Sequence, residues 1–156
     1  MIFGVWLWNT IICQLFLSEW LAANQLEKIS LIITNAHSKE VLESWDFNVE
    51  NEPPEDENKN PNQDAAKPTS NKDLKRIKQE ICSVMRQISA TVTYLPLLDC
   101  ICSFDILMHT LQNCSVPEKW DETEAVIIQN AQAVKLTSFS TGLHKVDTVV
   151  NYKMTN

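Results

Sequence analysis

The chain has 156 residues, 44% of them hydrophobic, which is enough for one packed domain of ordinary size. Its formal charge of −7 comes without any basic stripe, so nothing would displace counterions from phosphates and nucleic-acid binding is disfavoured. Gly4 and Gly142 are the only glycines, which excludes phosphate-cradling loops and nucleophile elbows, both of which need several close together.

The opening "MIFGVWLWNTIICQLFLS" (1–18) is apolar and uncharged. It lacks the basic start of a signal peptide, and Asn9, Thr10 and Gln14 interrupt it before the ~20 apolar residues that a membrane span needs. A buried helix, or sequence foreign to the native domain, is the better reading, and no membrane association is expected. "EKISLIITNA" (27–36) is rich in β-branched residues and predicts a buried strand. After the polar turn "AHSKE", "VLESWDFNVE" (41–50) alternates, with Trp45, Phe47 and Val49 on one face; the two segments predict an antiparallel hairpin.

Residues 50–73 hold seven acids against three lysines, with prolines and asparagines and almost nothing apolar, and predict a flexible acidic loop. A helix is expected from near Ser70, with Ser70 and Asp73 as a capping box. Leu74, Ile77, Ile81, Val84, Met85, Ile88, Val92 and Leu95 recur at helical spacing, and Pro96 ends the run. "LLDCICSFDILMHT" (97–110) predicts a long strand with Leu98, Cys100, Cys102, Phe104, Ile106 and Met108 on one face. Residues 111–133 show weak periodicity, and "VKLTSF" predicts a strand with a bulge or bend. From His144 onward the tail alternates: Val146, Thr148, Val150, Tyr152 and Met154 share one face, and Lys145, Asp147, Asn151 and Lys153 the other. A terminal strand needs a sheet edge, and the tail raises the question of which edge it takes.

Enzymatic chemistry finds little support. Cys100 and Cys102, with Cys82 and His109, are the sharpest metal candidates, but zinc ligands usually come from turns with two-residue spacers. On one strand face they read as small core hydrophobes, and no metal or cofactor is expected. Five cysteines in irregular spacing predict reduced thiols, hence a nuclear or cytosolic protein. His37, His109 and His144 are scattered, and the apolar segments offer no matched carboxylate pair. Trp45 reads as core. Trp120, in "VPEKWDE", lies in an irregular segment, where a large aromatic serves either core or interface.

In their order, "EWLAANQLEKISLIITNAHSKEVLESWDFNVE", "MRQISATVTYLPLLDCICSFDILMHT", "VPEKWDE" and "SFSTGLHKVDTVVNYKM" resemble the HORMA-domain spindle checkpoint family over about residues 19–152. The resemblance implies an α+β fold: a mostly antiparallel sheet backed by helices, with a C-terminal safety belt over 111–156. The domain would be residues 19–156, after an atypical segment 1–18. It implies a non-enzymatic protein that captures a closure-motif peptide as an added strand and thereby restrains the activator of the anaphase-promoting complex. The implied partners are that activator, the coiled-coil kinetochore checkpoint scaffold (mitotic arrest-deficient protein one) and a second copy in the other conformer; the implied locations are nucleus, kinetochore and cytoplasm. The tail would move between two edges, leaving the strand at 97–110 free for the peptide when it docks beside 41–50. A less close resemblance, to the HORMA adaptor subunit of translesion polymerase zeta, is the alternative.

By resemblance, Arg86, Gln87 and Tyr94 correspond to positions that pair open and closed molecules; Phe104, Ile106 and Trp120 correspond to the peptide site; Val146, Thr148, Val150 and Tyr152 belong to the mobile tail. Thr148 matches a phosphorylated serine, whose phosphate would oppose docking of the tail. The chain departs from the family at its start, where helices are replaced by residues 1–18, as in an incomplete or alternatively spliced product. Part of the face bearing Ile29, Leu31 and Ile33 would then meet water, at ~25 cal/mol per Å². The new apolar segment is expected to fill some of that gap as a helix, and the chain to be less stable than full-length relatives.

Overall fold

The computed structural model describes residues 2–5, 10–52, 72–111, 114, 116 and 120–154, with side chains from Phe16 onward. Ser70, most of the acidic loop, and Trp6 and Trp8 lie outside the described residues. The elements run β1 (Ile2–Val5), α1 (Thr10–Ala22), β2 (Leu26–Asn35), β3 (Val41–Asn51), α2 (Leu74–Thr91), β4 (Cys102–Thr110), β5 (Asp121–Glu122), β6 (Ala131–Lys135), β7 (Phe139–Ser140) and β8 (His144–Lys153). They form one sheet in the order β5-β1-β4-β2-β3-β8-β6, with β7 also on β8, and every ladder is antiparallel. The α+β class and the β2–β3 hairpin agree with the sequence.

Alternation sorts the two sheet faces. Ile29 stands opposite Phe47 and Met108, and Leu31 opposite Trp45 and Ile106, so the apolar sets of three strands meet on one face. α1 covers one end of that face: Trp20, Leu26 and Met108 are buried together, with Phe16, Leu17 and Leu21 packed against them. α2 covers the other end, where Trp45, Leu136 and Val150 are buried against Ile88 and Leu95. The opposite face carries Lys28, Ser30, Ser44, Asp46, His109 and Asn151.

The helix ends have clear causes. α1 stops in a Schellman motif: Gln25 N–H donates to the Trp20 carbonyl and Asn24 N–H to that of Leu21, with Asn24 left-handed at φ 54°. At the start of α2 the cap is Asp73 itself, whose side chain accepts from Lys75 N–H. α2 ends at Thr91, short of Pro96; Thr91 is fully buried and its hydroxyl donates back to the Gln87 carbonyl.

Two sequence expectations need correction. The opening is not one helix: residues 10–22 are helical, but Ile2–Val5 is a strand. Four residues are too few for any period to declare itself, and a vacant sheet edge supplies the hydrogen bonds that a local turn would otherwise give. The strand expected over 97–110 enters the ladder only at Cys102. Its β2 partner ends at Asn35, and beyond the bond from Ala36 N–H to the Ile101 carbonyl no strand among the described residues runs beside 97–101. The exposed part of the helix-side face lies here as well. Ile29, Leu31 and Ile33 are half-buried, whereas Phe104 is 50% and Leu97 87% exposed.

Candidate functional site

The tail occupies the β3 edge. β8 runs from His144 opposite Asn51 to Tyr152 opposite Glu43, and its apolar face enters the core. Val150 is fully buried between Trp45 and Val134 on the neighbouring strands. Thr148 stands opposite Phe47, is fully buried, and its hydroxyl has no partner among the described residues. Val146 lies between Val49 and Phe139, and the Tyr152 hydroxyl donates to Gln132 Oε1 at 2.9 Å.

A polar hub on the other face pins β8. Asp46 of β3 accepts from Ser30 Oγ (2.5 Å), Ser44 Oγ (2.9 Å) and, through its second oxygen, Asn151 Nδ2 (2.9 Å). Lys28 lies 3.9 Å from the same carboxylate, and His109 Nε2 is 3.2 Å from Ser30 Oγ. Burial, then the charge of Lys28, push the His109 pKa down to about 4, with Asp46 opposing. Alternation placed Asp46 and Asn151 on a polar face, but their pairing across β3 and β8 was not legible. Beside the hub, Asp147 is held below the usual carboxylate range: burial raises it, and the Lys145 hydrogen bond with the Lys135 charge more than offsets this.

Two side chains on α2, seven residues apart and so on one helix face, hold the segment before the tail. Gln87 Oε1 accepts from both the N–H and the hydroxyl of Thr137. Glu80 accepts from Ser140 N–H (3.1 Å) and from Lys72 (2.7 Å), which also donates to the Ser140 carbonyl. The Lys72 hydrogen bond, with that from Ser140, keeps the Glu80 pKa low. Arg86 and Tyr94 are exposed, the Tyr94 hydroxyl lying 3.0 Å from Thr91 Oγ1. Gln87 is half-buried and committed to Thr137, so it differs from Arg86 in what it can offer a partner.

At the opposite end of the sheet, the outer edge of β4 is taken by β1: Ile2 is opposite His109, Phe3 opposite Met108, Gly4 opposite Leu107 and Val5 opposite Ile106. β5 lies on the far side of β1, pairing Glu122 with Phe3 and Asp121 with Gly4. A short strand is thus enclosed between β4 and a segment that returns over it. Trp120, immediately before β5, packs edge-to-face on Trp20 of α1 at 5.4 Å, anchoring that segment to the helix layer. Ile106 supports the enclosed strand from within the core, while Phe104 stands opposite Ile33, outside the span that β1 covers.

Cys100 and Cys102 sulfurs are 3.7 Å apart and half-buried, and Cys82 is exposed on α2. Among the described residues no cluster of His, Cys, Asp and Glu could hold a metal ion, and no helix is long and apolar enough to cross a membrane.

The HORMA domain family matches residues 6–144. The mitotic spindle assembly checkpoint protein MAD2A of Dictyostelium discoideum is 44% identical over 140 residues, covering 90% of this chain and 64% of that protein. This chain therefore spans a little under two thirds of that relative's length. In a crystal structure of the mitotic checkpoint complex, one chain superimposes with a TM-score of 0.75 at 34% identity, covering 94% of this chain and 71% of its own. Caenorhabditis elegans HTP-2 bound to the HIM-3 closure motif shares the fold at a TM-score of 0.64 and 13% identity, over 92% of this chain and 69% of HTP-2.

Proposed function

Because the chain belongs to the HORMA domain family, we propose that it is a non-enzymatic spindle checkpoint component that captures a closure-motif peptide as an added strand. The observation that supports this most directly is the enclosure of a four-residue strand between β4 and β5, with the tail docked on β3 at the far end of the sheet. β4 supplies backbone hydrogen bonds, and β5 with Trp120 closes over the guest. Release then requires local opening of the belt, so dissociation is slow. The relatives being checkpoint proteins favours this reading over the polymerase adaptor.

The partners that fit are the coiled-coil checkpoint scaffold at kinetochores and the activator of the anaphase-promoting complex, whose capture delays anaphase; the protein would act in nucleus, kinetochore and cytoplasm. Arg86 and Tyr94, exposed on and just after α2, with Gln87 beside them, would mediate pairing with a second copy. Tail residues Val146, Thr148, Val150 and Tyr152 would constitute the switch: they are buried or half-buried only while β8 lies on β3, and two dockings differing by a few kcal/mol suffice for bistability. The experiment is titration with a scaffold-derived closure-motif peptide, following tail amide exchange and binding. Unchanged binding after deletion of residues 143–154 would refute the belt mechanism.

A further inference from the structure

The strand enclosed between β4 and β5 belongs to this chain, and that bears on how the capture edge is regulated. Ile2–Val5 pairs on both sides, with Ile106–His109 of β4 and with Asp121–Glu122 of β5. Among the described residues β5 has no other ladder, so this stretch of the belt joins the sheet through β1, apart from the rest of the belt on β3. Three of the four neighbouring β4 residues are apolar and well covered: Met108 and Leu107 are buried, and Ile106 packs in the α1 cluster, while the fourth, His109, belongs to the polar hub. An uncharged strand suits such a slot and an acidic one does not, since Asp121 and Glu122 stand directly opposite it. "IFGV" carries no charge.

We propose that residues Ile2–Val5 act as a tethered occupant of the peptide-capture edge, so that an external peptide binds only by displacing them. This rests on the capture reading above and adds its regulation. Only residues 6–9 separate β1 from α1. So short a tether gives the occupant an effective concentration on the order of millimolar, which a peptide at micromolar concentration meets at a disadvantage. The apparent affinity falls by the fraction of molecules whose edge is vacant. Displacement has a second consequence: β5 loses its ladder partner at the same moment, so entry of the guest and opening of the belt are one event. The guest that fits is an apolar strand of at least four residues without acidic side chains, running antiparallel to β4.

The test compares the intact chain with the double variant F3P/G4P, which removes two consecutive backbone donors from β1. Amide exchange is followed at residues 106–109 and 121–122, and binding is measured with two probes, the peptide MIFGVWL added in trans and a scaffold-derived closure-motif peptide. The expected result is faster exchange at both sites in the variant and at least about tenfold tighter binding of the probes. If the double variant does not fold, Phe3→Asp, which puts an unpaired charge at the register position opposite Met108, is measured in the same way. Unchanged exchange at 106–109 would overturn the occupancy, whatever the peptides do. Faster exchange with equal affinity for intact chain and variant would overturn the exclusion. Faster exchange with neither probe bound would overturn the capture reading and the exclusion with it.

Discussion

Gln87 on α2 accepts two hydrogen bonds from Thr137, at 2.7 Å from its backbone N–H and at 2.8 Å from its hydroxyl. With Glu80 on Ser140, it makes one face of α2 the holder of the chain just before β8. Gln87→Ala should cost about 0.5–1 kcal/mol, since the exposed Thr137 N–H exchanges its acceptor for water. Amide exchange at Thr137 should accelerate while that of β2 stays unchanged. Arg86→Ala, at an exposed neighbour, should leave Thr137 exchange alone.

Thr148 offers two substitutions of opposite sign. Its hydroxyl is buried without a partner, so Thr148→Val should be neutral or stabilising by up to about 1 kcal/mol in chemical denaturation. Thr148→Glu places an unpaired carboxylate at the same buried position and should cost more than about 3 kcal/mol, releasing β8 from β3. Because the hydroxyl is inaccessible while β8 is docked, a kinase should modify it only in undocked molecules. Phosphorylation measured against a tail-locked variant, with a disulfide between β3 and β8, would decide this.

The Trp20–Trp120 contact anchors the β5 end of the belt outside the sheet. Trp120→Ala should destabilise by about 2–3 kcal/mol, less than for a fully buried tryptophan because Trp120 is half-buried. The same change should speed dissociation of a captured peptide more than it slows association, as measured by stopped flow. A double-mutant cycle with Trp20→Phe should return a non-zero coupling, and additivity would show the pair to be independent.

His109 makes stability depend on pH. Its pKa is about 4 in the folded chain and near 6.5 when unfolded, so between these values the unfolded state binds more protons. Its contribution is fully present above about pH 6.5 and is lost as pH falls toward 4. With the ring only partly buried, the total effect should be about 1–2 kcal/mol rather than the full value of the shift. Denaturation midpoints measured across this range should flatten in His109→Gln.

Much of the fold can be read from period alone. β2, β3 and β8 each reveal an apolar face at a spacing of two, and α2 one at 3.6, because those periods belong to the backbone itself. The α2 stripe shows the limit of such a reading. Val84 is buried as expected, yet Leu74, Ile81 and Met85 of the same stripe are exposed, since a stripe states what could be buried and not whether anything covers it. Gln87, off the stripe, turns out to be a belt contact, because its partner lies fifty residues away and leaves no local mark. Asp46 likewise gathers Ser30, Ser44 and Asn151 from three strands, a convergence that exists only once the strands are in register.

From the sequence by itself come β2, β3, β8 and the body of β4, the second helix, the apolar faces and the likeness to one family. Which edge each free strand takes was decided by tertiary structure: β8 on β3, and Ile2–Val5 on β4 beneath β5. The physical reason is that a sheet edge bonds through backbone N–H and C=O groups common to every residue. The choice among edges rests on packing, charge and tether length, and these arise only when distant parts of the chain are brought together.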